Sequence, residues 1–157
     1  MAFPLHYLGS RMGSQAKLLA KDVMRRDVIT VPATMDLWSL ARLFSEKGIS
    51  GAPVINGGKG IVGVVSQADL IRNINALAQT TFAQSAFYEN SDPEPGPKRP
   101  MLRARDIMSP VVIECDENTP VDELSRIMLK NKVHRIIVTR KGRLMGIVTT
   151  MDLLRIV

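Results

Sequence analysis

The 157-residue chain has little of what several common kinds of site require. Its single cysteine, Cys115, and its two histidines, His6 and His134, support neither an intrachain disulfide nor a zinc site. Aromatic residues make up 4% of the chain, which argues against a stacking surface for single-stranded nucleic acid. Its apolar runs are far shorter than the ~20 residues that cross a bilayer. We therefore expect a cytoplasmic protein with no metal site and no membrane span.

The N-terminal segment leaves one alternative for the location. The first 21 residues contain no acidic residue, but they lack both the early positive charge and the long apolar stretch of a secretory signal. A transit peptide for an organelle therefore stays open beside the cytoplasmic location.

The residues that are abundant are aliphatic and basic. Hydrophobic residues make up 45% of the chain and charged residues 23%, which predicts a compact protein with an aliphatic core. The 21 Lys and Arg residues outnumber the 15 Asp and Glu residues, and the net charge of +6 favours anionic ligands. This charge also permits nucleic-acid binding. Without an aromatic surface or a helix-turn-helix pattern, however, we expect no nucleic-acid partner.

The sequence contains an internal repeat. A shift of 84 residues, reduced to 83 by a one-residue deletion in a turn, superimposes two copies of one unit. The identical pairs are Ala20/Ala104, Asp22/Asp106, Met24/Met108, Ile29/Ile113, Leu40/Leu124, Arg42/Arg126, Val54/Val138, Gly63/Gly146, Val65/Val148, Asp69/Asp152, Leu70/Leu153 and Arg72/Arg155. The predicted organisation is an N-terminal extension (1–19), a first repeat (20–72), a partly helical and then proline-rich linker (73–103) and a second repeat (104–157).

Each repeat has the pattern of a β-α-β-β-α unit. A strand at 28–31 or 111–115 precedes an amphipathic helix, two further apolar runs flank a Gly/Lys turn, and a final helix follows Ser66 or Thr149. The predicted N-caps of the amphipathic helices are Thr34 or Asp36 in the first repeat and, with Pro120 as the first helical residue, Thr119 in the second. The expected fold class is α/β (α+β), with the two repeats packed about a pseudo-two-fold axis.

The final helix of each repeat begins with a motif that has two interpretations. Ser66 is followed three residues later by Asp69, and Thr149 by Asp152. A helix N-terminus favours an anion, and the carboxylate can accept two vicinal ribose hydroxyls, which is nucleotide chemistry. The same spacing is that of a capping box, worth roughly 0.5–2 kcal/mol without any ligand. From the residues alone the capping interpretation is favoured, and one aspartate can serve both purposes.

The two repeats resemble a tandem pair of CBS domains, the family named for cystathionine β-synthase. The resemblance rests on Asp22-Val23-Met24 with Gly63-Val64-Val65-Ser66-Gln67-Ala68-Asp69-Leu70, and on Asp106-Ile107-Met108 with Gly146-Ile147-Val148-Thr149-Thr150-Met151-Asp152-Leu153. It covers nearly all of residues 20–157. It implies a stand-alone regulatory module that binds AMP, ADP, ATP or a related adenosine compound such as S-adenosylmethionine in a cleft between the repeats.

The resemblance also implies which residues bind the nucleotide. Asp69 and Asp152 would hold ribose hydroxyls, and Ser66 and Thr149 would contact ribose or phosphate. The residues implied for the adenine slot are Val28, Ile29, Val112, Ile113, Pro53 and Ile137.

One stretch of the second repeat is similar to the γ subunit of AMP-activated protein kinase. It contains His134 and Arg135, whose counterparts in that subunit contact phosphates. The first repeat has Ser50 and Gly51 at these positions. We therefore expect two unequal sites or one occupied site. The alternative for His134 and Arg135 is a solvated pair on an edge strand.

The sequence points to a binding protein without catalysis. No nucleophile with a base, metal-ligand spacing or phosphate-binding loop supports an enzyme, and no cofactor is expected beyond the adenine nucleotide as regulatory ligand. By resemblance we expect a homodimer and a regulated protein partner. The alternative is an interaction or dimerisation scaffold whose aspartates only cap helices. Arg25, Arg26 and residues 140–143 are expected to be solvated loop charges, with contact to phosphates or to a nucleic acid as the alternative for either group.

Overall fold

The computed structural model describes residues 17–87 and 101–156, which fall into two compact units. We call Arg26–Ile113 the N-terminal unit, and Met1–Arg25 with Glu114–Val157 the C-terminal unit. In chain order the elements are α1 (Ala20–Val23), β1 (Val31–Pro32), α2 (Leu37–Lys47), β2 (Gly51–Ile55), a 3-10 turn (Gly57–Lys59), β3 (Ile61–Ser66), α3 (Gln67–Phe87), α4 (Ala104–Ile107), β4 (Glu114–Asp116), α5 (Val121–Asn131), β5 (Arg135–Arg140), β6 (Arg143–Thr149) and α6 (Thr150–Leu154).

The N-terminal unit is built on a three-stranded sheet in the order β1-β2-β3. The strand β1 runs parallel to β2, because the helix α2 connects them as a crossover, and β3 pairs antiparallel to β2 across the 3-10 turn. The alternating residues Val54 and Val65 point to one face, where they are fully buried with Leu40 and Phe44 of α2. The apolar face of the helix therefore packs on this sheet face.

The C-terminal unit has the same topology, with the sheet order β4-β5-β6. The strand β4 is parallel to β5, and β5 is antiparallel to β6. Ile136, Val138 and Val148 are fully buried, as is Leu124 of α5. The two predicted β-α-β-β-α repeats are thus confirmed as two three-stranded sheets with their helices.

Each sheet is completed by the segment that begins the other sequence repeat. In the C-terminal unit, the backbone N–H of Ala20 in α1 donates to the carbonyl of Thr119 at 2.8 Å, and Arg25 forms an antiparallel bridge with Ile147 of β6. In the N-terminal unit, Ser109 after α4 forms the matching bridge with Val64 of β3. The short segment at the start of each sequence repeat therefore belongs to the structural unit formed by the other repeat.

Two glycines make room for the exchanged segments. A Cβ atom on Gly146 would lie 2.6 Å from the Met24 Sδ and 2.7 Å from the Arg25 carbonyl oxygen. A Cβ atom on Gly63 would lie 2.6 Å from both the Met108 Sδ and the Ser109 carbonyl oxygen. The backbone oxygens cannot move away without breaking the bridges. This close approach is a physical reason for glycine at both positions.

The strand that opens each repeat is shorter than predicted and lies further along the chain. The predicted strands at 28–31 and 111–115 correspond to β1 at Val31–Pro32 and β4 at Glu114–Asp116. The pairing with the central strand begins only at Val31 opposite Val54 and at Glu114 opposite Ile137, so the preceding apolar residues have no ladder partner. Periodicity alone does not reveal where a partner strand begins.

The helix ends correct part of the sequence prediction. Asp36 is the N-cap of α2, because its side chain accepts a hydrogen bond from the Ser39 N–H at 2.9 Å. The prediction of Thr119 as the cap of α5 is wrong. The helix begins at Val121 and Pro120 is the N-cap, whose carbonyl accepts the first helical bond, from Leu124 at 3.1 Å. The short helices α1 and α4 were not predicted. No helix within 17–87 and 101–156 is long and apolar enough to cross a membrane.

Candidate functional site

The turn from β6 into α6 is a capping box built on Asp152. The carboxylate oxygen Oδ2 accepts hydrogen bonds from the Thr149 N–H at 2.9 Å and from the Thr149 hydroxyl at 2.7 Å. In return the Asp152 N–H donates to the Thr149 hydroxyl oxygen at 3.3 Å. The next helical N–H, of Thr150, donates to the carbonyl of His134 at 3.0 Å. The backbone donors of Thr150 and Asp152 in the first turn of the helix are thus satisfied by the protein itself.

The second oxygen of Asp152 is held by arginine. The Arg25 Nε lies 2.9 Å from Oδ1, and an Arg155 guanidinium nitrogen lies 3.6 Å from the same oxygen. The Asp152 side chain is 6% exposed, whereas that of Arg25 is 51% exposed. Burial acts to raise the pKa of Asp152, but the hydrogen bonds from Thr149 and the Arg25 guanidinium outweigh it and hold that pKa below its usual range. Asp152 is therefore a buried, ionised carboxylate.

The corresponding turn of the N-terminal unit repeats the capping box but lacks the close hydrogen bond from an arginine to the outer carboxylate oxygen. The Asp69 Oδ2 accepts from the Ser66 N–H at 2.8 Å and from the Ser66 hydroxyl at 2.7 Å. Among the described side chains, its Oδ1 has the longer contact with an Arg72 guanidinium nitrogen at 3.4 Å. The Asp69 side chain is 17% exposed. The two turns share their cap and differ in what holds the outer oxygen.

Strand register places several predicted site residues on one face of the second sheet. Directly paired residues of neighbouring strands share a face. The face of β5 and β6 that we call the Thr149 face carries Arg25, Arg135, Ile137, Ile147 and Thr149. It combines two arginines with two aliphatic side chains next to the Asp152 turn. Glu114, paired with Ile137, lies on this face as well.

The matching face of the first sheet, which we call the Ser66 face, is neutral at the paired positions. It carries Gly51, Pro53, Val64, Ser66 and Ser109. The repeat alignment sets Gly51 against Arg135 and Ser109 against Arg25, so both basic positions are replaced by small residues. A ligand with a phosphate group therefore meets two arginines on the Thr149 face and small, uncharged residues at the matching positions of the Ser66 face.

The remaining predicted residues are distributed between the two units. Val28, Ile29, Val112 and Ile113 precede the strands, are half-buried and belong to the N-terminal unit. The His134 side chain is exposed, and its backbone carbonyl caps α6. The C-terminal unit thus brings together the predicted residues Thr149, Asp152, His134, Arg135 and Ile137, and the N-terminal unit brings together Ser66, Asp69 and Pro53.

The sequence prediction missed the position of Arg25. This residue was expected to be a solvated loop charge, but it pairs with Asp152, which lies 127 residues away. Arg140 was also expected to be a solvated loop charge and instead forms a bidentate ion pair with the buried Glu117. Local sequence carries no signal for such distant pairs. The available signal was the repeat alignment, which marks Arg25 as the basic counterpart of Ser109.

The described residues offer little for other kinds of site. Within 17–87 and 101–156, no three His, Cys, Asp or Glu side chains are grouped as metal ligands. Cys115 is buried in β4, and that burial raises the pKa of its thiol to about 11, which keeps it protonated at neutral pH. Among the described residues, the Asp152 and Asp69 turns are the candidate site.

The fold and the paired turns define a tandem-repeat α/β protein. The sequence pattern of the CBS domain matches residues 20–76 and 104–157. The chain belongs to the CBS domain family. Members of this class generally act as regulatory modules, and the match indicates no enzymatic family.

Relatives and solved structures are similar over most of this chain. An uncharacterized protein of Methanocaldococcus jannaschii, MJ1426, is 28% identical over 151 residues, which cover 87% of this chain and 89% of that protein. The human H(+)/Cl(-) exchange transporter 5 is 32% identical over 152 residues, covering 88% of this chain but 19% of the transporter. Matches to two other archaeal proteins cover 60% and 38% of their lengths.

Two solved structures have the same fold and contain adenosine compounds. The structure of CBSX2 in complex with AMP has a TM-score of 0.64 and 25% identity, covering 88% of this chain and 94% of that one. The CBS domain pair of MJ0100, in complex with 5'-methylthioadenosine and S-adenosyl-L-methionine, has a TM-score of 0.68 and 23% identity, covering 89% and 95%.

Proposed function

We propose that this chain is a non-catalytic regulatory module that binds an adenine nucleotide, of which AMP is the first candidate. The observation that carries the proposal is the buried carboxylate of Asp152 at the start of α6, on a sheet face with two arginines and two aliphatic residues. The similarity to CBSX2, which was solved with AMP, supports AMP as the ligand. ADP and ATP share both the ribose and the phosphate chemistry of AMP, whereas S-adenosylmethionine shares only its adenosine moiety.

The Asp152 turn suits the ribose of such a ligand. Thr149 fixes the Oδ2 of the carboxylate, so that Oδ1 keeps a fixed position from which to accept ribose hydroxyls. Arg135 lies directly opposite Thr149 and supplies a guanidinium for a phosphate group. Ile147, which is half-buried on the same face, offers apolar surface for the adenine ring, whereas its strand partner Ile137 is 1% exposed. His134, at the start of β5, is the second candidate phosphate ligand.

A second, weaker site is proposed at the Asp69 turn. Ser66 and Asp69 supply the same ribose acceptor, and the half-buried Val28 and Ile29 supply apolar surface, whereas Pro53 on the Ser66 face is fully buried. Val112 and Ile113 complete the predicted set. Because the paired positions of the Ser66 face carry no cation, a phosphate gains less from electrostatic attraction there.

Ligand binding would be signalled through an interface with a second copy or another protein. Exposed apolar side chains on the helices that follow the two turns are candidates for that interface. Ile71 on α3 is 61% exposed, and Met151 and Leu154 on α6 are 57% and 59% exposed. A homodimer formed through these helices would couple ligand binding at either turn to the interface.

Isothermal titration calorimetry tests the proposal. AMP, ADP, ATP and S-adenosylmethionine are titrated into the wild type, into Asp152→Asn, and into Asp122→Asn as a matched carboxylate variant on α5. We expect micromolar binding of at least one compound, about −8 kcal/mol. We also expect loss of that binding in Asp152→Asn and unchanged binding in Asp122→Asn.

The alternative function predicts a different result. If the aspartates only cap helices in an interaction scaffold, none of the compounds binds below the millimolar range, and Asp152→Asn changes only the melting temperature. Circular dichroism of each variant separates loss of binding from loss of fold. Absence of binding in the folded wild type would overturn the nucleotide proposal.

A further inference from the structure

We propose that Arg25 is a specificity-determining residue that makes the Asp152 site favour phosphorylated adenosine compounds over adenosine. The inference rests on the proposed function, since it concerns the same site. The juxtaposition that carries it is the hydrogen bond from the Arg25 Nε to the outer carboxylate oxygen of Asp152, at 2.9 Å.

The number of acceptor positions on Asp152 is the first step. Two carboxylate oxygens offer about four lone-pair positions. Thr149 uses two of them on Oδ2 through its N–H and its hydroxyl. Arg25 uses one on Oδ1, and Arg155 approaches the same oxygen at 3.6 Å. Two vicinal ribose hydroxyls need two acceptor positions, so the ribose competes with Arg25 for Oδ1.

The position of Arg25 decides where its charge lies after a ribose has displaced it from Asp152. Its backbone is fixed beside Ile147 by two hydrogen bonds, at 2.9 and 3.0 Å, while its side chain is half exposed. The displaced guanidinium therefore remains on the Thr149 face, two residues along the strand from Thr149. A ligand phosphate replaces the carboxylate as its anionic partner, whereas adenosine offers no anion. Glu114, on the same face beside Ile137, is the other carboxylate that the guanidinium meets.

The N-terminal unit has no arginine that a ribose must displace in this way. Ser109 stands where the other unit has Arg25, and the Asp69 Oδ1 has the longer Arg72 contact at 3.4 Å. A ribose can bind at Asp69 without displacing a tightly held guanidinium. The same carboxylate motif is therefore selective for phosphorylated ligands in one unit and indifferent to the phosphate in the other.

The test compares AMP with adenosine in variants that all carry Asp69→Asn, which isolates the Asp152 site. Calorimetry measures the Kd values of AMP and adenosine for the protein that keeps Arg25 and for Arg25→Ser, which introduces the residue found at the matching position of the other repeat, Ser109. Arg26→Ser removes the same charge from the neighbouring position as the control. We expect Arg25→Ser to lower the preference for AMP over adenosine about ten-fold, through weaker AMP binding and tighter adenosine binding. Arg26→Ser should leave the preference within about two-fold.

Four results are informative. A fall in the preference confined to Arg25→Ser, with an unchanged melting profile, supports the inference. Binding of AMP with the same preference in Arg25 and Arg25→Ser overturns the inference and leaves the proposed function standing. Equal losses of AMP and adenosine affinity also overturn it, because they show a purely structural role. If the wild type binds neither compound, the proposed function itself fails and the inference falls with it.

Discussion

The Asp152 turn and the Asp69 turn are two copies of one capping box in different surroundings. In both, the Oδ2 of the aspartate accepts two hydrogen bonds from the preceding Ser or Thr. Asp152 is more buried and is held by Arg25, whereas the matching position near Asp69 is Ser109. The comparison teaches that the motif sets the orientation of the carboxylate, while distant residues set its electrostatics.

The largest expected effect concerns what the two units share. Gly63→Ala and Gly146→Ala each place a Cβ 2.6 Å from a methionine sulfur. The same Cβ lies 2.6 Å from a backbone oxygen at Gly63 and 2.7 Å from one at Gly146. We expect each to lower the free energy of unfolding by about 2–3 kcal/mol, since the bridging segment must move. Urea denaturation measures both. Gly58→Ala, at an open position in the turn, is the control. Equal stability of Gly146→Ala and the wild type would show that the bridge with Arg25 is not tightly packed.

The second prediction separates the two turns. Asp152→Asn removes the charge that pairs with an arginine at a buried position and turns one of the two accepting oxygens into a donor, and we expect a loss of about 1–3 kcal/mol in the free energy of unfolding. Asp69→Asn removes a more exposed carboxylate with a longer arginine contact, and we expect about half of that loss. Denaturant titrations of both variants give the ranking. A larger loss for Asp69→Asn would contradict the difference drawn between the two turns.

The third prediction is a pH dependence of the stability that Asp152 contributes. The pKa of folded Asp152 lies below its unfolded value of about 3.8. Its contribution to stability is therefore complete above the unfolded value and is lost as the pH falls through the folded one. The stability difference between the wild type and Asp152→Asn should be constant from pH 7 to about pH 5 and shrink below about pH 4. A difference that grows on acidification would contradict the assigned direction of the pKa shift.

The smallest prediction concerns how the two amphipathic helices end. The C-cap of α2 is Gly48 at φ +61°, whereas the C-cap of α5 is Lys132 at φ +53°. Left-handed backbone costs a lysine more than a glycine, although glycine also increases the entropy of the unfolded chain. We expect Lys132→Gly to raise the free energy of unfolding by about 0.5 kcal/mol. A destabilised Lys132→Gly variant would show that the lysine side chain contributes contacts at this end.

Local signals in the sequence predicted most of the fold. The order of strands and helices and the capping boxes at Ser66 and Thr149 each depend on residues a few positions apart, and the repeat follows from comparing the chain with itself at a shift of 84 residues. The shift of β1 and β4 could not be predicted in this way, because the ends of a strand depend on its partner. The pairing of α1 and α4 with the opposite repeats was likewise missed.

The sequence named most residues of the candidate site but not the arginine that pairs with its buried carboxylate. Asp152 and Thr149 follow from the motif, and Arg135 from the resemblance to a known phosphate-binding stretch. Arg25 could not be assigned, because its partner lies 127 residues away and the two meet only through the bridge to Ile147. Contacts of this length depend on tertiary packing, for which a single sequence gives no direct signal.

The most direct test of the central claim is calorimetric titration of AMP into the wild type, Asp152→Asn and Asp69→Asn under one set of conditions. Nucleotide binding at two unequal turns predicts that Asp152→Asn abolishes the tighter binding and that Asp69→Asn preserves it. Absence of AMP binding by the folded wild type, or identical binding by all three proteins, would contradict the claim.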